Sequence, residues 1–370
     1  MIKTLFLALL FIFFASCGGS NSSNTSPNIQ TTPLVDQSLL IDNRVLTLQD
    51  PYRKYLWHIE YSTHSDFNQY YQIHSEASAN IAKAWELSKG EGVLIAIIDN
   101  GFDVTHEDLK DNIVLTYNIA NKTSNVSNEG ISTHGSAIAG IMVASSNDVG
   151  SIGVAPKSKI VLIQDSLLSS DADIIEAFDY AQRSGARVVN CSWGTNAVSD
   201  VVASKIRELY DSGIVVVFAS GNDGLSLDRA SISDESELAW VLGVGSSSEF
   251  NTKSSYSSYG RSIDILAPSG EYMGIVATDD YGIYQIGDKE RLLDDGYTFF
   301  SGTSASAPVV SGIVALMLSV NPNLTPEQVR EIIISNAQKI GGVDYIAGWN
   351  RKYAYGKIDA YASVLAAKEY

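Results

Sequence analysis

Short apolar runs recur along the chain, and most end on a polar residue. "GVLIAIID" (92–99), "KIVLIQ" (159–164), "ARVVNCS" (186–192), "IVVVFASGN" (214–222) and "AWVLGVGS" (239–246) are of strand length and rich in Val and Ile. Runs of this kind, without strict alternation, predict strands buried on both faces. Segments of helical period lie between them. "STHGSAIAGIMVASS" (132–146) is small and apolar at helical spacing. "DADIIEAFDYAQRSG" (171–185) starts on acids and stops at a Gly, as a capped helix does. "SDVVASKIRELYDSG" (199–213) predicts another helix, and two more follow at about 304–319 and 325–337. Alternating strands and helices predict an α/β fold, a mostly parallel central sheet covered by helices on both faces. In such sheets ligands sit beyond the carboxyl ends of strands. Asp99, Ser192 and Asn222 collect at those ends.

The N-terminus breaks this pattern. "MIKTLFLALLFIFFASC" carries one Lys, then an apolar run from Leu5 to Phe14, then small residues. That is a signal peptide over residues 1–16, too short to span a bilayer comfortably. "FASC" resembles a bacterial lipobox, with Phe14 where Leu is commoner, and makes Cys17 the lipid attachment site. Gly18 follows it and does not resemble an inner-membrane retention signal. The chain is expected to be exported and lipid-anchored at the cell envelope, in the outer membrane or at the cell surface. Residues 17–44 are Gly/Ser/Asn/Thr-rich at first and read as a flexible tether, and residues 45–370 as one domain. Between Cys17 and Asp50 there is no room for a folded propeptide, so the domain is expected to fold without one.

Composition adds limits. The 370 residues are 45% hydrophobic and 18% charged, enough for a sizeable core, with a net charge of −17. An acidic chain of this kind argues against nucleic-acid binding, which needs a basic face. Two cysteines exist, and with Cys17 lipidated, Cys191 has no disulfide partner and reads as a buried thiol.

Candidate chemistry centres on "FFSGTSASAPVVSG" (299–312). Pro308 lacks the N–H that would bond the carbonyl of Ser304, so Ser304 is placed at a helix start. Free N–H groups and the helix dipole favour an anion there. A serine nucleophile needs a base, and none of the five histidines (His58, His64, His74, His106, His134) lies after residue 134. His134, in "THGSAIAG", has small neighbours that let a serine reach its ring. His58, His64 and His74 match no compact metal motif, and His106 is expected at the surface. Asp99, ending a strand as "IIDNG", is placed to orient an imidazole. Asn222, in "FASGNDG", supplies a side-chain donor for an oxyanion. The order Asp–His–Ser is that of subtilisin.

With these four residues in order, the chain resembles the subtilisin-like serine proteases (subtilases) over about 50–366. "IAIIDNG", "HGSAIAG" and "GTSASAP" resemble the family's Asp, His and Ser motifs. "NCSWG" and "ASGNDG" resemble its substrate-binding and oxyanion segments, and "YGKIDAYASV" its closing helix. Asn100 and Ala305 depart from the commonest residues without removing a needed group. The resemblance implies a three-layer subtilisin-like fold and a serine endopeptidase. Asp99, His134 and Ser304 would be its triad and Asn222 its oxyanion donor. Ser192, Trp193 and Gly194 would pair with the substrate backbone. With Ala219, Ser220 and Gly221 they would line the pocket for the substrate residue preceding the scissile bond (P1), with Asp223 at its rim. "TLQDPYRKYLWHIE", "HEDLK" and "SSNDVGSIGVAP" resemble calcium segments, which makes Asp50, Asp108 and Asn147 possible ligands of a structural Ca²⁺. The implied partner is a peptide or protein substrate, with the membrane held through the N-terminal lipid, and the expected state is a monomer. The competing expectation is a catalytically silent subtilase-like lipoprotein that binds peptides.

Overall fold

The computed structural model describes residues 33–61, 64–127, 134–165, 170–228, 231–279, 293 and 296–370. In chain order the elements are α1 (Ser65–Tyr71), α2 (Ile81–Ala84), β1 (Leu94–Asp99), β2 (Ile113–Asn118), α3 (His134–Val143), β3 (Lys159–Gln164), α4 (Asp171–Ser184) and β4 (Val188–Cys191). There follow α5 (Asp200–Asp211), β5 (Val215–Ala219), β6 (Val241–Ser247), β7 (Ile265–Pro268), β8 (Ile275–Thr278), β9 (Tyr297–Phe300), α6 (Thr303–Val320), α7 (Pro326–Ser335) and α8 (Ala360–Glu369). Strands β1 to β7 form one parallel sheet in the order β2-β3-β1-β4-β5-β6-β7, and β8 pairs antiparallel with β9. The α/β expectation is met. The chain lays β2 and β3 on one side of β1 and β4 to β7 on the other, so the carboxyl end of β1, Asp99, lies at the reversal where open α/β sheets bind ligands.

The apolar runs lack alternation because both faces are covered. In β1, Ile95 and Ile97 enter the core beneath α3 and α6, while Leu94, Ala96 and Ile98 enter the core beneath α4 and α5. Strand β5 divides the same way, with Val215 and Val217 on one side and Val216 and Phe218 on the other. Each such side chain contributes about 1.5–3 kcal/mol of burial. Helix α6 is the one helix among the described residues long and apolar enough to cross a membrane, yet it is the core helix of the domain, 83% of it buried inside the fold.

Three local expectations change. Residues 33–44, assigned to the tether by composition, pack on the domain: Val35 and Leu40 are buried against the α4–α5 side. Arg44 ion-pairs with Asp42 and reaches Asn112 Oδ1 at 2.7 Å, which fixes this segment. His106 is buried rather than exposed, its Nε2–H donating to the carbonyl of Gly296 at 2.9 Å. Helix α6 begins at Thr303, one residue before Ser304, after Gly302 at φ +100°. Most of residues 279–296 and part of 166–174 lie outside the described residues.

Candidate active site

Asp99 ends β1 with a side chain only 3% exposed. His134 opens α3, and its Nδ1–H donates to Asp99 Oδ1 at 2.8 Å. Gly135 is what lets the two elements meet. A Cβ there would lie 2.3 Å from the carbonyl oxygen of Gly101 and 2.7 Å from the Phe102 ring. The sequence "HG" thus brings α3 close enough to the loop after β1 for the imidazole to reach the carboxylate. Phe300 packs edge-on against the imidazole, with centroids 5.4 Å apart. Burial disfavours the imidazolium, but the charge and hydrogen bond of Asp99 outweigh it, so the His134 pKa is raised above the usual imidazole value.

Ser304 occupies the second position of α6, where a backbone N–H has no acceptor within the helix. Its Oγ–H donates to the carbonyl of Ser192 at 2.9 Å. Asn222 follows β5, and its Oδ1 accepts from both the backbone N–H and the hydroxyl of Thr303, at 2.9 and 3.0 Å. The carboxamide orientation is therefore fixed, with Nδ2–H₂ left as the outward donor. A cavity of about 140 Å³ opens beside these groups. The predicted residues Ser192, Trp193, Gly194, Ala219, Ser220, Gly221, Asn222 and Ser304 all line it, and Asp223 joins them.

The family model of the subtilases (Peptidase_S8) matches residues 90–356. The chain belongs to the subtilase family. It is 32% identical over 326 residues to a calcium-dependent protease of Nostoc sp., covering 78% of this chain and 48% of that protein. The chain thus spans about half the length of that relative. It is 31% identical over 266 residues to subtilisin DY of Bacillus licheniformis, covering 70% of this chain and 88% of the subtilisin. Among solved structures, a protease from Pseudoalteromonas arctica superposes with a TM-score of 0.70 at 26% identity, covering 86% of this chain and 99% of that one.

In this subtilase, several supporting groups were not evident from the motifs. Ser192 Oγ–H donates to the Ser304 carbonyl at 2.9 Å, Asn190 Nδ2–H donates to Ser192 Oγ at 3.0 Å, and Ser311 Oγ–H donates to Asn190 Oδ1 at 2.8 Å. This buried chain ties β4 to α6 behind the serine. Only its polarity inside the apolar "VVNCS" and "VVSGIV" runs hints at it. Trp193 is anchored by its Nε1–H to the carbonyl of Ile98 at 2.8 Å. Cys191 is fully buried and its thiol pKa is pushed up by burial, so it is a packing residue.

The three candidate metal ligands gather around the 145–151 loop. Asp50 Oδ1 accepts from the backbone N–H of Asn147 and Asp148, and its Oδ2 from the Ser146 hydroxyl. Asp108 Oδ2 accepts from Ser151 N–H at 3.0 Å and from the Tyr297 hydroxyl at 2.9 Å, while its buried Oδ1 has no partner. Burial, with nearby Asp50 adding to it, pushes the Asp108 pKa up to about 7. Asn147 Oδ1 accepts from Val149 N–H. Neither carboxylate makes an ion pair among the described residues. Asp108 Oδ1 is the one oxygen of these three side chains left to meet a hard cation, and no cluster of three or more metal-binding side chains gathers around it among the described residues. Asp50 mainly serves the loop's N–H groups.

The remaining histidines lie elsewhere. His64 Nδ1 accepts from Phe67 N–H at the start of α1, and His74 Nδ1 accepts from Glu76 N–H. His58 is fully enclosed with both ring nitrogens unpartnered, and burial pushes its pKa down to about 3.

Proposed function

We propose that this chain is a serine endopeptidase tethered to the cell envelope. The observation that carries the reading is the 2.8 Å bond from His134 to Asp99 at the carboxyl end of β1, with Ser304 and Asn222 bordering one cavity nearby. Ser304 Oγ turns from the Ser192 carbonyl toward His134 Nε2 and attacks the scissile carbonyl carbon. Its proton passes to Nε2, while ionised Asp99 holds the Nδ1–H and stabilises the imidazolium. The tetrahedral oxyanion takes the Ser304 N–H and the Asn222 Nδ2–H. Collapse breaks the C–N bond, and His134 returns the proton to the leaving amine. Water then hydrolyses the acyl-enzyme with His134 again as base. Ser192, Trp193 and Gly194 align the substrate strand on one side of the pocket, with Ala219, Ser220 and Gly221 opposite.

Asp108, with Asp50 and Asn147 beside it, would hold one calcium ion that stiffens the 145–151 loop. The calcium dependence in the Nostoc relative's name supports this. Chelator is then expected to lower the melting temperature and added calcium to restore it. Export and lipid attachment at Cys17 rest on the N-terminal sequence. A Cys17→Ser variant is expected to leave the membrane fraction.

The decisive test is labelling of Ser304 by a fluorophosphonate, alongside cleavage of a protein substrate. Wild type should label and cleave, and Ser304→Ala should do neither. Peptide binding without labelling would favour the catalytically silent alternative.

A further inference from the structure

We infer that this protease selects Lys or Arg at P1, and that Asp234 and Asp223 make the selection. The inference rests on the endopeptidase reading above. Its new element is Asp234, which lies in no site motif, ten residues after the "ASGNDG" segment, and which the fold brings into the wall of the pocket beside Ser304. Asp234 is 7% exposed and caps the short 3₁₀ turn Glu235–Glu237 before β6. Its Oδ1 accepts from the Ser236 N–H at 3.0 Å and hydroxyl at 2.7 Å, and its Oδ2 from the Asn196 N–H at 3.1 Å. Three donors hold the carboxylate rigidly and leave one acceptor direction on Oδ2.

Gly194 is required for this arrangement. A Cβ at 194 would lie 2.4 Å from Asp234 Oδ2, so only Gly lets the carboxylate stand in the pocket wall there. Asp223 lines the same pocket and is exposed.

Charge balance separates these acids from their neighbours. Asp228 pairs with Arg351 at 2.7 Å and with Arg261 at 3.5 Å. Asp234 and Asp223 have no such pair among the described residues. A cavity of about 140 Å³ is far below the several hundred of a whole-ligand site and suits a single side chain. The substrate feature that complements a small pocket with a buried and a rim carboxylate is a long cationic side chain. Its methylenes pass the walls, and its head group meets the free Oδ2 lone pair. An acidic P1 residue meets two like charges and is excluded.

The test uses fluorogenic peptides that differ only at P1 (Lys, Arg, Leu, Phe, Glu), with fluorophosphonate labelling of Ser304 run in parallel. Wild type is expected to favour Lys and Arg over Leu by roughly 10²-fold in kcat/KM. Asp234→Asn and Asp223→Asn should each shrink the Lys-to-Leu ratio at least tenfold. Asp223 is exposed, so its variant carries the test if Asp234→Asn does not fold. A wild type that labels but prefers Leu or Phe, or variants that label with the ratio unchanged, overturns the inference and leaves the endopeptidase reading standing. A wild type that fails to label brings down the endopeptidase reading itself.

Discussion

Ser192 and Ser304 exchange hydrogen bonds: the Ser304 hydroxyl donates to the Ser192 carbonyl, and the Ser192 hydroxyl donates to the Ser304 carbonyl, each at 2.9 Å. The second bond explains how Pro308 is tolerated. Pro308 lies inside α6, in its second turn, and cannot donate to the carbonyl four residues earlier. Ser192 supplies the missing donor. The Pro therefore does more than mark the helix start, because it leaves the nucleophile's own carbonyl free to be gripped by β4's end.

Ser192→Ala should therefore destabilise the domain and loosen Ser304. Leaving a buried carbonyl unsatisfied costs about 1–3 kcal/mol. Thermal melts are expected to shift downward by a few degrees, and fluorophosphonate labelling to slow. An unchanged melt would mean that water replaces the hydroxyl.

The pH profile should report the Asp99–His134 pair. His134 acts as a base only when neutral, and its pKa is raised in the folded protein. The acid limb of kcat/KM is thus expected above pH 6.5. In Asp99→Asn the charge and the anionic acceptor are gone and burial alone acts, so the limb moves to lower pH. The same change is expected to lower kcat by about 10⁴.

Asn222→Ala should lower kcat by about 10²–10³ with little change in KM, since its Nδ2–H meets charge only in the transition state. Steady-state kinetics on one peptide would check this. An equal effect on KM would place Asn222 in ground-state binding.

His58 should make the fold acid-sensitive. Its native pKa is pushed down to about 3, while the unfolded value is about 6.5. The unfolded state therefore binds the extra proton first, and stability is lost as pH falls from 6.5 toward 3. At pH 5 the loss is about 2 kcal/mol relative to pH 8. Denaturant titrations of wild type and His58→Leu at both pH values should differ by that amount, with the variant less pH-dependent. Identical pH dependence would show that His58 finds a partner on protonation.

Much of the fold was legible in the chain because the signals are local. Strand-length Val/Ile runs such as 92–99 and capped periodic segments such as 171–185 state their own conformation. Asp99, His134, Asn222 and Ser304 were legible because glycines and small residues mark the places where backbones must approach closely, as Gly135 does. Residues 33–44 misled because they follow directly on the polar 18–32 run and are too short to show a period, although they carry the apolar anchors Val35 and Leu40. Burial of His58 and His106 was invisible because an isolated polar residue carries no periodicity.

By itself, then, the sequence determined the α/β alternation through five of the seven sheet strands, the candidate reactive groups and the family, while β2, β7, β8 and β9 carried too short or too mixed a pattern to be read. Only the tertiary structure decided which groups support them. The Ser311–Asn190–Ser192–Ser304 chain joins residues up to 121 positions apart. Asp234 reaches the pocket from a turn whose residues match no motif. The physical reason is common to both. A hydrogen bond or a pocket wall depends on which strand ends lie side by side, and parallel pairing across β4, β5 and β6 brings together segments that share no local pattern.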